Sequence, residues 1–349
     1  MGDRKINFKF FGESYILTII GVILAYFWSE HIAPGSGLIA IFSVLVLGIL
    51  EVSLSFDNAV INAMKLEHMT DKWRHRFLTW GILISVFVMR LLLPILVVSI
   101  FANLSMLEVF RVAIYDSNKY TQYLQLTHAP IIIFGGTFLL MLFLHYFLNN
   151  EKETHWISFI EEKLCKCGTI QGIEVIITLL ALCIVQNYIE ESNRLPAVIA
   201  GISGIILYLF IDGISNFLEQ KSRTSKYFVE GARNAGLVSF LYLELIDASF
   251  SLDGVLGAFA ISKDIIIITI GLGIGAIFVR SLTLMLVEKK VLKQFVYLEH
   301  GAHWAIGTLS IIMLCSSFYE IPEVITGITG LVFIVSAFVS SVIYNKNNN

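Results

Sequence analysis

Apolar runs long enough to cross a lipid bilayer recur along nearly the whole chain, and nothing else in it limits the possible folds so strongly. A membrane helix needs about 20 mostly apolar residues, because in hydrocarbon every backbone N–H and C=O must be satisfied within the segment. Ten stretches qualify or nearly qualify: 11–28, 37–64, 77–102, 129–148, 172–189, 196–218, 236–261, 264–288, 300–317 and 322–343. Of the 349 residues, 56% are hydrophobic and only 15% charged, with a mean hydropathy of +0.79. Soluble domains carry about 25% charged residues. A disordered chain, a nucleic-acid binder and most soluble enzymes are thereby excluded, and a net charge of −3 gives no basic field for an acidic partner. Four cysteines (Cys165, Cys167, Cys183 and Cys315) are too few and too scattered for a disulfide scaffold. The first apolar run is too long for the core of a signal peptide and lacks a small-residue cleavage site, so no cleavable leader is expected.

The distribution of basic residues tests the count of ten, because cytoplasmic loops are enriched in Lys and Arg. With the N-terminus inside, the inner segments hold 18 of the 24 basic residues and the outer loops hold four: Arg111, Lys119, Arg194 and Lys263. Arg90 and Arg280 fall within spans. The split predicts ten spans with both termini cytoplasmic, in a bacterial-type inner (plasma) membrane.

Two stretches match, EVSLSFDNAV (Glu51 to Val60) and DASFSLDGVL (Asp247 to Leu256). Glu51 aligns with Asp247, Ser53 with Ser249, Ser55 with Ser251, and Asp57 with Asp253. Downstream, FVMRLLLPILV carries Arg90 and FVRSLTLMLV carries Arg280; GGTFLLML further on faces IGTLSIIML. The matched spans are offset by five, an odd number, so equivalent helices must cross the bilayer in opposite directions. The expected fold is an all-α polytopic membrane protein of about ten transmembrane helices in a 5+5 inverted repeat, the arrangement of many secondary transporters. Its organisation is a cytoplasmic segment at 1–10, a first five-helix repeat at 11–189 and a second at 190–345, all in one membrane domain.

The motif acids lie where they are costly. An ionised carboxylate at the bilayer centre costs about 2.5–3.5 kcal/mol even on the lenient insertion scale. Glu51, Asp57, Glu244, Asp247 and Asp253 therefore need a counter-charge, protonation or water. At ~100° per residue, Glu51, Ser55 and Asn58 share one helical stripe, and Glu244, Asp247, Ser251 and Gly254 form its counterpart. Asp57 lies roughly 240° round from Glu51. Either the carboxylates face a wide polar cavity or the helix unwinds around Ser55–Asn58, as transporter helices do where they line a site. Carboxylate, hydroxyl and amide oxygens without Cys or Met suit hard divalent ions such as Mg²⁺, Ca²⁺ and Mn²⁺. The alternative is a protonated, hydrogen-bonded cluster that only packs helices.

Arg90 and Arg280 read either as counter-charges to the acids when the ion is absent or as packing residues. His300 and His303, following Glu299, could relay protons or hold a second metal, and His128 stands at a comparable place in the first half. Cys165-Lys166-Cys167 without a second pair is weak as a metal motif. The glycines of GLGIGAIF (Gly271–Phe278) do not follow a strand, so they fit close helix packing rather than a nucleotide fingerprint.

The two motifs, each an acid followed six residues later by Asp in a serine-rich apolar span, resemble those of the TerC-type membrane proteins, within the wider LysE-like transporter group. THAPIIIFGGTFLLMLF (Thr127–Phe143) and LEHGAHWAIG (Leu298–Gly307) look like a longer branch of that set, a family of uncharacterised integral membrane proteins. The resemblance implies a transporter of manganese or calcium, usually an exporter. It also implies Glu51, Asp57, Asn58, Asp247 and Asp253 as candidate metal ligands. The expectation is thus a divalent-cation transporter, not an enzyme, moving Mn²⁺ or Ca²⁺ as substrate by alternating access and using no cofactor. Glu244, Ser55 and Ser251 would complete or support the site, beside Arg90 and Arg280. The partners expected are the ion and the lipid bilayer, no nucleic acid, and a homo-oligomer left open. Two rivals remain: a membrane scaffold or stress-resistance complex subunit with a structural acidic cluster, and an intramembrane metalloenzyme built on the Glu299–His303 group.

Overall fold

A computed structural model describes residues 2–67, 69–101, 104–150, 152, 154–224, 236–237, 239–244, 247, 254, 258, 261–290, 294–319 and 321–348. Every regular element among them is a helix. In chain order these are α1 (Gly2–Ile32), α2 (Gly37–Leu54), α3 (Phe56–Glu67), α4 (Asp71–Leu83), a π-helical segment (Ile84–Leu92), α5 (Leu93–Phe101), α6 (Met106–Tyr115), α7 (Ser117–Phe147), α8 (Ser158–Cys167), α9 (Ile173–Val185), a 3₁₀ turn (Gln186–Tyr188), α10 (Glu191–Thr224), α11 (Ile265–Glu288), α12 (Leu298–Ser316) and α13 (Glu323–Asn348). The described residues of the expected span 236–261, namely 236–237, 239–244, 247, 254, 258 and 261, are helical as well.

Among the described residues, six helices are long and apolar enough to cross a membrane: Phe10–Ile32, Gly37–Leu54, Asn118–Phe147, Glu191–Ile214, Ile265–Glu288 and Ile328–Lys346. A seventh follows if Asp71–Gly81 and Ile84–Ile100, bent by 43° at their junction, form one broken span. The chain is by this measure a helical membrane protein. The remaining expected spans differ for local reasons. Ile173–Tyr188 is apolar but short. The first turns of α12 carry Glu299, His300 and His303, which lower its apolarity. Most of 236–261 lies outside the described residues.

Polar side chains start several helices by accepting from the otherwise unsatisfied first-turn amides. Ser105 accepts from Glu108 N, Asp116 from Lys119 N, and Asp264 from Ile266 N and Ile267 N. Asp264 also accepts from Trp28 Nε1 at 2.9 Å, which pins α11 to α1. Between α1 and α2 the chain turns at Gly35, whose φ of 89° suits a residue without Cβ. Helices α7 and α11 are central, whereas α1 and α13 are peripheral and turn apolar side chains such as Ile19, Phe27 and Val335 outward. All four cysteines are free.

Candidate functional site

Helices α2 and α11 come close because small residues face each other. A Cβ on Gly271 would lie 2.6 Å from Leu47 Cβ, and one on Gly275 would overlap Glu51 and lie 2.7 Å from Gly48 O. The GLGIGAIF glycines therefore act in packing, as the sequence suggests. Between these helices Glu51 is only 3% exposed.

The first motif helix is interrupted at Ser55, whose φ of −101° and ψ of 17° separate α2 from α3. Of the two arrangements open from the sequence, the interruption is thus present at the start of the Ser55–Asn58 segment. Across it, Ser55 Oγ donates to Glu51 Oε1 at 2.8 Å. The same oxygen pairs with Arg90 through Nη2. Arg90 Nη1 donates to Ser85 O at 2.7 Å and to Ser85 Oγ at 2.6 Å. Ser85 Oγ in turn donates to Asp247 Oδ2 at 2.6 Å, and Asn58 Nδ2 to Asp247 Oδ1 at 2.6 Å. An unbroken polar chain, Ser55–Glu51–Arg90–Ser85–Asp247–Asn58, joins the two motifs, and every member is buried.

Arg90 reaches this position from the π-helical segment, and such wide turns are uncommon and often mark functional sites. Pro94, just beyond, brings no N–H to the ladder. Arg280 comes from the regular helix α11. Its Nη2 lies 3.1 and 3.3 Å from the two Glu244 carboxylate oxygens and 3.8 Å from Asp247 Oδ2. Arg280 Nη1 donates to Phe77 O at 2.8 Å, and its Cζ sits 4.1 Å from the centre of the Phe77 ring.

The contacts are reciprocal between the halves. Asn58, seven residues after Glu51, binds Asp247; Gly254, seven residues after Asp247, faces Glu51, where an added Cβ would lie 3.4 Å from Oε2. Ser85, five residues before Arg90, binds Asp247; Gly275, five residues before Arg280, packs on Glu51. The structure thus brings together Glu51, Ser55, Asn58, Arg90, Glu244, Asp247 and Arg280. Asp57 belongs to α3 by its backbone, but its side chain lies outside the described residues, as do Ser251 and Asp253.

Chemically, the described residues form a buried centre of three carboxylates and two guanidiniums, with one negative charge in excess among them when all are ionised. Carboxylate, hydroxyl and amide oxygens are ligands for hard cations. Among the described residues, no three Asp, Glu, His or Cys side chains converge as a ready metal cage. In this arrangement the acids are held by arginine.

A second polar cluster gathers on Glu161 of α8, which the sequence did not single out because its partners are remote in the chain. Glu161 Oε2 lies 2.8 Å from His300 Nδ1 and accepts from Trp156 N at 3.0 Å; Oε1 accepts from Trp304 Nε1 at 3.0 Å and Ile157 N at 3.3 Å. Lys152 Nζ stands 3.5 Å away. Burial would raise the Glu161 carboxyl, but the hydrogen bonds from His300 and Trp304 and the charges of His300 and Lys152 outweigh it and hold the group at about 2. His303 instead bonds Glu299 O at 2.9 Å and stacks on Tyr146, ring centres 3.5 Å apart. His300 thus ties the 152–161 connection to α12, and His303 packs α12 on α7.

Ser85 is the other residue that sequence reasoning missed at the centre. Its only signal is position: Ser85 precedes Arg90 by the spacing at which Gly275 precedes Arg280.

No curated protein and no solved structure matches the chain. Residues 56–348, well over half of the chain and including Arg90, Asp247 and Arg280, match the family described as "Protein of unknown function (DUF475)", and the chain belongs to that family.

Proposed function

We propose that the chain is a divalent-cation transporter, moving Mn²⁺ or Ca²⁺ by alternating access, most simply as an Mn²⁺ exporter. Glu51 and Asp247 would bind the ion near the bilayer midplane. Asn58, Ser55, Asp57, Asp253 and Ser251 would contribute oxygens, and Glu244 would stand beside them. What carries the reading is the polar chain from Glu51 to Asp247, because it brings costly buried acids of two matching motifs to one centre. The TerC- and LysE-like resemblance of the motifs points the same way.

The 5+5 inverted repeat belongs to the same proposal. The reciprocal contacts of residues 58 and 254, and of 85 and 275, are what a pseudo-two-fold axis between the halves would produce. The assortment of the ends supports it too. Lys263 Nζ donates to Asn118 Oδ1 at 3.0 Å, and both belong to loops read as outer. Lys65, His145, Asp212, Ser239 and Tyr242 line a small polar cavity together with Tyr208, and all belong to ends read as cytoplasmic.

The test is Mn²⁺ flux into proteoliposomes containing the wild type, Glu51→Gln or Asp247→Asn. The wild type is expected to move Mn²⁺, and each variant to lose at least tenfold in rate. A wild type that neither binds nor moves Mn²⁺ or Ca²⁺ overturns the proposal. The arginine pairing of all three acids favours one second reading, a scaffold subunit whose acids are structural. It predicts that neutral Gln or Asn at these positions leaves cellular function intact and that the purified protein binds no metal.

A further inference from the structure

Resting on the transporter reading, we propose that Arg90 is a resident counter-cation that occupies the ion's place against Glu51, reaching Asp247 through Ser85, and must leave before the ion can bind, while Arg280 is a fixed anchor that keeps Glu244 out of the ligand set. The two arginines align in the sequence but are held very differently. Arg280 is secured on three sides: by a backbone carbonyl, by both oxygens of Glu244 and by the face of Phe77. It projects from an unbroken α-helix. Breaking that set in the buried interior leaves several groups unpaired at once, which is costly.

Among the described residues, Arg90 is held through its two terminal nitrogens alone. Nη2 is on Glu51, Nη1 on Ser85, and Nε is buried with no partner among them. A guanidinium has five donors, and a buried one left open carries an unrecovered desolvation cost. The side chain is only 1% exposed, so water does not compensate it at the surface. Its backbone lies in a nine-residue π-helical segment, where a return to α-helical winding would turn the side chain by about 100° for each residue of register. Ser85 makes the exchange concerted: one hydroxyl receives from Arg90 and donates to Asp247. Withdrawal of Arg90 frees Glu51 Oε1 of its guanidinium and opens the carbonyl and hydroxyl oxygens of Ser85, beside Asp247, to a cation in the guanidinium's place. Glu51 Oε2 faces Gly254, which itself brings no side chain.

The experiment is Mn²⁺ titration calorimetry on the purified full-length protein, paired with flux in proteoliposomes, for the wild type, Arg90→Gln, Arg90→Lys and Arg280→Lys. Arg90→Gln is expected to bind Mn²⁺ at least tenfold more tightly than the wild type yet to transport more slowly, because the ion then has no competitor to expel it. Arg90→Lys, a point charge that cannot grip Glu51 and Ser85 together, is expected to tighten binding by a smaller factor, and it serves if the Gln variant does not fold. Arg280→Lys is expected to leave Mn²⁺ affinity unchanged or weaker. A residue that merely supported the structure would weaken binding when replaced, so unchanged or weaker affinity in both Arg90 variants overturns the inference while leaving the transporter reading intact. Absence of Mn²⁺ binding in the wild type and in every variant overturns both.

Discussion

Ser85 lies at the junction of the two motifs, and its hydroxyl is the only group that touches both Arg90 and Asp247 among the contacts of the polar chain. Ser85→Ala removes a donor from a buried carboxylate and an acceptor from a buried guanidinium, each an omission that costs about 1–3 kcal/mol. The expected result is a fall of several degrees in the thermal unfolding midpoint of the detergent-solubilised protein. Ser53→Ala is the matched control: Ser53 is exposed and its hydroxyl bonds only Ile49 O in its own helix, so the midpoint should stay within about 1 °C. Glu161 gives a pH-dependent counterpart. Its carboxyl is held at about 2 against an ordinary 4.5, so the charged form stabilises the fold above pH 4.5 and that contribution drains away as pH falls toward 2. Proteolysis of the 152–161 connection should accelerate over that acid range in the wild type. In Glu161→Gln the connection should be cut readily at neutral pH with little further acid response.

The elements divide into those the sequence announces and those it cannot. Long apolar runs mark α1, α2, α7, α10 and α11 because lipid imposes length and apolarity on any helix that crosses it. The motif acids, Asn58 and both arginines were visible for the same reason, since a charge in an apolar run is conspicuous. Ser85 was not, because serine is cheap in a membrane helix and only its neighbour across the bundle gives it meaning. Glu161 was hidden by distance: it lies in a polar connection, and His300 stands 139 residues away. The broken winding at Ser55 was one of two arrangements open from the sequence, and the π-helical turns before Pro94 had no sequence mark that periodicity could read. Glycine substitutions separate the roles of α2, α11 and the second motif. Gly275→Ala puts a Cβ into Glu51 and the α2 backbone, so it should force the helices apart, lower the unfolding midpoint and weaken Mn²⁺ binding together. At Gly254 the added methyl would meet Glu51 Oε2 at an ordinary 3.4 Å. Gly254→Ala should therefore keep the wild-type midpoint, and any loss it causes should appear in Mn²⁺ affinity alone.

For the molecule as a whole, the partition of side chains runs opposite to that of a soluble protein. Ile19, Leu38, Phe42 and Phe210 face outward, while Arg90, Arg280, Glu51, Glu244 and Asp247 are enclosed. Such an arrangement is stable only if the outer apolar surface is covered by lipid tails and the enclosed charges are largely offset, and the arginine pairs offset two of the three carboxylates. It also couples the orientation of the chain to the centre: if the halves are inverted copies, the 118–119 end of α7 and the 165–167 end of α8 must lie on opposite faces of the membrane. Cys167 is exposed and Asn118 lies exposed at the start of α7, so both faces can be probed. With Cys165, Cys183 and Cys315 replaced by Ser, the remaining Cys167 should react with a membrane-impermeant maleimide only after cells are permeabilised. With Cys167 also replaced and Asn118→Cys introduced, labelling should occur in intact cells. Labelling of both positions from the same side would mean an even number of crossings between them, and the odd offset that makes the repeat inverted would then be lost.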